Sequence, residues 1–161
     1  MNCTLNFTRL EKFMIGIVLG GITLYWVHRH YQVAVNLTPS LPYKVFLIKK
    51  GESARRGELL AFQWQGGLGY AQGVTMIKKI AATAGDVVVR QERDFFVEGR
   101  HIAQAITQTD KNKTLDVAPG GKIASGQYFV VATHPASLDS RYRQFGTVNQ
   151  QQVIGRAYPI W

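Results

Sequence analysis

The residues of this sequence best suited to chemistry are one serine and two lysines in unusual surroundings. Ser40 stands in the stretch NLTPSLP, where Pro39 and Pro42 hold the backbone extended and remove two amide donors. The serine is therefore displayed on a stiff segment that cannot become helical. A serine hydroxyl becomes a nucleophile only when a neighbouring base takes its proton. The alternative interpretation of the stretch is a structural turn.

The two lysines, Lys78 and Lys79, lie inside an otherwise apolar predicted strand, VTMIKKIA, where a positive charge is costly. A lysine with an ordinary pKa of about 10.4 must lose roughly three pKa units to act as a base near neutral pH, and burial can supply that. Strand alternation puts Lys78 on one face with Met76 and Ile80, which slightly favours Lys78. In the alternative, both lysines extend from an edge strand to solvent or lipid phosphate.

The composition argues against metal, thiol and nucleic-acid chemistry. The one cysteine, Cys3, precedes the apolar run, so neither a disulfide nor a thiol nucleophile is expected in the domain. The four histidines lack the spacing of a zinc site, and no metal or cofactor is expected. The formal charge of +9 suits nucleic acid or anionic lipid about equally. Because aromatic residues are not interleaved with the positive charges, no nucleic-acid partner is expected.

An uncharged run, FMIGIVLGGITLYWV, precedes these residues and predicts a membrane anchor. A helix of this length spans roughly 22 Å of a hydrocarbon core of about 30 Å, and the flanking Lys12 and Arg29 can lengthen the span. The bulky, basic residues after the run disfavour a cleaved signal peptide, and its apolar faces disfavour a core helix. We predict a flank at residues 1–12, one transmembrane anchor at 13–31 and a domain at 32–161. The flanking charges do not fix the orientation.

After Pro42 the chain consists of short β-branched and aromatic runs separated by glycine, which predicts a mainly β domain. The turn signals are too closely spaced for crossover helices, so antiparallel strands are expected. The stretch FFVEGRHIA predicts a hairpin that turns at Glu98 and Gly99. For Phe62 and Trp64, contact with lipid and a place in the core are equally favoured.

The order of the segments resembles that of the type I signal peptidases. The apolar run is followed by TPSLP, RRGELLAF, MIKKIAATAGD and SLDSRYRQFG, and the compact length is similar to the TraF-like branch, which processes pilin subunits for conjugative plasmid transfer. The resemblance implies a compact, antiparallel, β-barrel-like serine peptidase catalytic domain at residues 32–161, preceded by one transmembrane helix. It also implies a catalytic dyad of serine and lysine.

The resemblance assigns catalytic roles to three residues of this chain. Ser40 matches the nucleophile and Lys78, the first of the lysine pair, matches the general base. Thr38 matches the position whose hydroxyl joins the amide of Ser40 in the oxyanion hole. Donors of this kind typically contribute about 3 to 4 kcal/mol to lowering the barrier.

Four further residues match positions that support the site. Ser137 in SLDSRY matches the serine that orients the lysine through a hydrogen bond. Asp139 and Arg141 are similar to an ion pair that braces this loop, with Lys79 as a third member. The stretch ATHPA stands where the family commonly has Gly-Asp-Asn.

The resemblance implies a membrane-anchored endopeptidase that cleaves the signal, leader or terminal peptide of an exported precursor, a conjugative pilin. The acyl-enzyme is resolved by water or by an amine that closes a cyclic pilin, and the sequence does not distinguish these outcomes. The expected partners are the precursor, the lipid bilayer and the conjugation machinery. The expected location is the bacterial inner membrane, single-pass, with the catalytic domain on the periplasmic side. The alternative is a non-catalytic, membrane-tethered assembly factor of a conjugation or secretion apparatus.

Overall fold

The computed structural model describes residues 8–38, 40–106 and 115–161. Cys3 and Pro39, which the sequence interpretation used, lie outside the described residues, as does most of the predicted flank. The chain divides into two units, Met1–Tyr31 and Gln32–Trp161.

The described residues of the first unit form one helix, α1, at Arg9–His30. Thr8 caps its N-terminus in a reciprocal pair, because the amide of Glu11 donates to Thr8 Oγ1 at 3.3 Å and the amide of Thr8 donates to Glu11 Oε2 at 2.7 Å. At ~1.5 Å per residue the 22 residues of α1 reach about 33 Å, the thickness of a hydrocarbon core. Among the described residues, α1 is the one helix long and apolar enough to cross a membrane.

The rest of the described chain forms short strands and one 3-10 helix. The strands are β1 Tyr31–Val35, β2 Val45–Lys50, β3 Leu59–Gln63, β4 Thr75–Ala82, β5 Val87–Gln91, β6 Asp94–Val97, β7 Arg100–Gln104, β8 Gly121–Lys122, β9 Gln127–Val131, β10 Val148–Asn149 and β11 Val153–Pro159, and the 3-10 helix is Gln150–Gln152. The prediction of a mainly β chain with one N-terminal apolar helix is confirmed.

The strands form two open sheets. The larger has the order β1-β2-β11-β3-β4-β9-β10 and the smaller the order β7-β6-β5-β8. The neighbouring strands among β2 to β11 pair in antiparallel orientation, as predicted. The barrel-like expectation is wrong in one respect, because a barrel closes only when its terminal strands pair, whereas β1 and β10 are the two free ends of the larger sheet.

The predicted hairpin at Glu98 and Gly99 is confirmed. Val97 of β6 pairs with Arg100 of β7, so Glu98 and Gly99 form a two-residue turn. Their φ angles of 52° and 72° are both positive, as the tightest hairpin turns require. Glycine adopts such a φ without strain, which explains the residue at position 99.

The core of the larger sheet includes the two aromatic residues whose place the sequence left open. Phe62 is fully buried, and Trp64 is stacked on Phe145 with 4.8 Å between the ring centroids. Both belong to a cluster of buried residues that also contains Ile80 of β4 and Val130 of β9. Phe62 and Trp64 are therefore core residues, and the interpretation of them as lipid contacts is wrong.

Candidate active site

Ser40 lies in the loop between β1 and β2, and a second loop holds its backbone. The carbonyl oxygen of Ser40 accepts hydrogen bonds from the amides of Thr133 at 3.1 Å and His134 at 3.4 Å. Its hydroxyl is hydrogen-bonded to that of Thr38, with 3.1 Å between the oxygens. Ser40 is only 9% exposed. The structure therefore brings together the predicted nucleophile and the predicted oxyanion-hole hydroxyl.

Lys78 lies in β4, which has β3 on one side and β9 on the other. The alternative in which this lysine reaches solvent from an edge strand is wrong, because Lys78 is buried and only 6% exposed. Its Nζ atom donates a hydrogen bond of 2.7 Å to Ser137 Oγ. Lys79, the next residue, is exposed.

The buried position of Lys78 changes its proton affinity. Burial lowers the pKa of Lys78 from 10.5 to about 8, while the charge of Asp139 opposes the decrease and the charge of Arg141 adds to it. With a pKa of about 8, roughly a tenth of the amines are neutral at pH 7, against fewer than about one in a thousand for an ordinary lysine. The amine can therefore serve as a base near neutral pH.

The loop after β9 is braced by a buried ion pair between Asp139 and Arg141, which are 0% and 2% exposed. Arg141 Nε donates to Asp139 Oδ1 and Arg141 Nη2 to Asp139 Oδ2, both at 2.7 Å. Arg141 Nη2 also contacts the carbonyl oxygens of His134 at 3.2 Å and Ser137 at 3.1 Å. The pair thus holds the segment that presents Ser137. Because Lys79 is exposed, the structure gives no support to its expected place beside this pair.

His134 connects the serine to the lysine. Its amide donates to the carbonyl of Ser40, and its own carbonyl accepts from the amide of Ser137 at 3.1 Å. Ser137 in turn holds Lys78. Within the described residues, the hydroxyl of Ser40 bonds to Thr38 and Lys78 Nζ bonds to Ser137, so the two predicted dyad members are linked through this loop and not by a direct hydrogen bond.

One residue of the loop was not identified from the sequence. Asn36 accepts hydrogen bonds at Oδ1 from the amide and the hydroxyl of Thr38, and its Nδ2 donates to the carbonyls of Leu41 and Tyr43. An asparagine two residues before a threonine is typical of a turn in which the side-chain oxygen accepts from the backbone. That signal was present in Asn36-Leu37-Thr38 and could have identified the residue.

A cavity of about 360 Å³ adjoins the Ser40 loop. It is lined by Asn36, Leu37, Thr38, Leu41, Pro42, Tyr43 and Lys44. In residues 8–38, 40–106 and 115–161, no group of three or more His, Cys, Asp or Glu side chains is placed to hold a metal ion.

The chain is similar to known proteins in sequence and in structure. A family model described as signal peptidase, peptidase S26, matches residues 7–161. Among solved structures, the crystal structure of a signal peptidase I from Enterococcus faecalis V583 is similar, at 22% identity and a TM-score of 0.45, over 65% of this chain and 97% of that one. No curated protein matches the chain.

Proposed function

Because the chain belongs to the signal peptidase family, peptidase S26, we propose that it cleaves precursor proteins with Ser40 as nucleophile and Lys78 as general base. The family makes the chain a serine peptidase that acts on precursor proteins. The observation that carries the dyad is the buried amine of Lys78, with its pKa of about 8 and its hydrogen bond to Ser137.

The first step is the attack of Ser40 Oγ on the scissile carbonyl carbon. The proton of the serine passes to the neutral amine of Lys78. The C–N bond of the tetrahedral intermediate then breaks as the Lys78 ammonium gives that proton to the leaving amine, which leaves an acyl-enzyme and a neutral lysine. For this transfer the hydroxyl of Ser40 turns away from Thr38 and towards Lys78. Catalytic hydrogen bonds are commonly long or absent without substrate and form in the complex.

The oxyanion of the intermediate is stabilised by the hydroxyl of Thr38 and the amide of Ser40. The 3.1 Å contact between the hydroxyls of Thr38 and Ser40 supports this role, since it places a donor next to the atom that becomes bonded to the substrate carbon. Donors already fixed in position stabilise the developing charge without further reorganisation.

Ser137, Asp139 and Arg141 act as supports for the lysine. When the neutral amine donates a hydrogen bond to Ser137 Oγ, the lone pair of Nζ stays free to accept the proton of Ser40. The ion pair holds the carbonyls of His134 and Ser137 through Arg141, which fixes the loop. The exposed Lys79 has no part in this mechanism.

The membrane helix raises the concentration of the enzyme near its substrate. The length and composition of α1, together with the family, indicate membrane anchoring. A precursor that is held by the same bilayer meets the site at a raised effective concentration without any additional contact.

The substrate that we propose is a conjugative pilin precursor at a bacterial inner membrane, with the catalytic domain on the periplasmic side. The support is the resemblance of the segment order and compact length to the TraF-like branch. In the second step either water hydrolyses the acyl-enzyme or an amine of the pilin displaces Ser40. Both outcomes return a free serine, and the second gives a cyclic pilin.

The test is to incubate the full chain in lipid vesicles with a pilin precursor and to determine the product masses. Cleavage should be lost in Ser40→Ala and in Lys78→Ala and retained in Lys79→Ala, the matched control. A cyclic product is one water lighter than the hydrolysed one. Cleavage that persists in Ser40→Ala or Lys78→Ala would exclude the dyad, and a chain that never cleaves the precursor would favour the assembly factor.

A further inference from the structure

We infer that Asn36 is a positioning residue that holds the oxyanion-hole hydroxyl of Thr38 beside Ser40, an inference that rests on the function proposed above. Asn36 makes four side-chain hydrogen bonds within the loop that carries Ser40. Its Oδ1 accepts from the amide of Thr38 at 3.2 Å and from the hydroxyl of Thr38 at 3.1 Å. Its Nδ2 donates to the carbonyls of Leu41 at 3.3 Å and Tyr43 at 3.0 Å.

The orientation of the Asn36 amide follows from its partners. A carbonyl oxygen can only accept, so the side of the amide that faces Leu41 and Tyr43 must be the amino group. The amide of Thr38 can only donate, so the side that faces Thr38 must be the carbonyl oxygen. The bonds to the two carbonyls and to the amide of Thr38 fix this one orientation, and flipping the amide would lose all three of them.

This orientation determines what the hydroxyl of Thr38 can do. Asn36 Oδ1 has no proton, so the contact between Asn36 and Thr38 is made with the one proton of the threonine hydroxyl. The same hydroxyl lies 3.1 Å from Ser40 Oγ. Asn36 therefore selects the threonine rotamer in which Oγ1 faces Ser40, while the proton rests on a neutral amide oxygen.

In the free enzyme the hydroxyl of Thr38 donates to the neutral amide oxygen of Asn36, which is a weaker acceptor than the oxyanion that forms during the reaction. Hydrogen bonds to an ionised acceptor are roughly twice as strong as those between neutral groups. When the substrate carbonyl becomes an oxyanion, the proton of Thr38 can turn from Asn36 to that oxygen with only a rotation about one bond. Asn36 thus fixes the donor in position without withholding its proton.

Asn36, which precedes the nucleophile, also bonds to the backbone of the residues that follow it. Its backbone amide donates to the carbonyl of Lys44 at 2.7 Å, in addition to the bonds to Leu41 and Tyr43. The residue therefore has two separable roles, one on the loop through Nδ2 and one on Thr38 through Oδ1. The experiment has to distinguish the second role from the first.

The first measurement does not depend on activity. The χ1 angle of Thr38 is determined by NMR from three-bond couplings to its methyl carbon, in the full chain in detergent micelles. We expect one rotamer in the wild type and averaging over rotamers in Asn36→Ala. Asn149→Ala is the matched control, because Asn149 Oδ1 makes the same type of bond to the amide of Gln151, at 3.1 Å, outside the site. An unchanged Thr38 rotamer in Asn36→Ala would overturn the inference.

The second measurement is a double-mutant cycle on precursor cleavage. Asn36→Ala should lower kcat about 10-fold with KM within about 2-fold, and Thr38→Val should lower kcat about 100-fold. In the Thr38→Val background, Asn36→Ala should cost less than about 2-fold. Equal losses in both backgrounds would mean that Asn36 only braces the loop, which contradicts the inference. If the wild type shows no Ser40-dependent cleavage, the proposed function fails and the rotamer measurement still decides for or against the positioning.

Discussion

Lys78 and Ser137 are 59 residues apart in sequence and are joined by a hydrogen bond of 2.7 Å from Nζ to Oγ. This bond joins the interior strand β4 to the loop after β9, and the backbone of that same loop holds Ser40 through Thr133 and His134. The position of the amine is therefore fixed by the loop that also fixes the nucleophile.

Removing the hydroxyl of Ser137 should slow the reaction without weakening substrate binding. Ser137→Ala leaves Lys78 without its orienting partner, so we expect kcat to fall about 10- to 100-fold while KM changes little. Steady-state kinetics of precursor cleavage measure both. The matched control is Ser140→Ala, because Ser140 is a buried serine whose Oγ accepts from the amide of Val130 at 3.0 Å. An equal loss of kcat in both variants would show that the hydroxyl of Ser137 does not specifically orient Lys78.

The two lysines show what the sequence could and could not predict. Alternation slightly favoured Lys78, but both faces of the strand looked apolar. Only the folded chain distinguishes the two, because Lys78 is buried and bonded to Ser137 of a distant loop, whereas Lys79 on the opposite face is exposed. The hairpin at Glu98 and Gly99 was predictable because its signal is local. The open ends of the larger sheet were not, since closure depends on pairing between strands far apart in sequence.

Replacing the buried lysine should stabilise the fold while abolishing activity. In the wild type the lowered pKa of Lys78, from 10.5 to about 8, corresponds to roughly 3 kcal/mol of disfavoured charge at pH 7. Allowing about 1 kcal/mol for the lost bond to Ser137, Lys78→Met should raise the free energy of unfolding by about 2 kcal/mol. Urea denaturation measures this.

The gain from Lys78→Met should depend on pH. Between pH 8 and pH 10.5 the unfolded wild type binds a proton at Lys78 that the folded protein does not, so wild-type stability rises with pH over this window. The advantage of the variant should therefore shrink and vanish by about pH 10.5. Lys79→Met, at the exposed neighbour, should show no such trend. A variant that is no more stable than wild type at pH 7 would mean that the lysine is not strained by burial.

Breaking the buried ion pair of Asp139 and Arg141 should lower the free energy of unfolding. Arg141→Met leaves the carboxylate of Asp139 buried without its cation, which typically costs about 3 to 5 kcal/mol of unfolding free energy. Arg56→Ala removes two ion pairs that reach solvent, from Nη2 to Glu98 Oε2 at 2.8 Å and from Nη1 to Asp86 Oδ1 at 3.5 Å, and should cost about 1 kcal/mol. Thermal or urea denaturation compares the two. Similar small losses would show that the pair of Asp139 and Arg141 does not brace the fold.

The oxyanion hole can be examined through the hydroxyl of Thr38. Thr38→Val keeps the shape of the side chain and removes its donor, so kcat should fall about 100-fold or more with KM nearly unchanged. Thr38→Ser retains a hydroxyl and should recover most of the lost rate. Cleavage kinetics of the three proteins measure this, and a valine variant with normal kcat would exclude Thr38 from the oxyanion hole.

The central claim is that the amine of Lys78 takes the proton of Ser40, and the pH dependence of kcat/KM for precursor cleavage tests it most directly. Activity requires the neutral amine, so kcat/KM should rise with pH, reach half its maximum near the Lys78 pKa of about 8, and level off above it. A kcat/KM that stays constant from about pH 6 to pH 9.5 would contradict the claim.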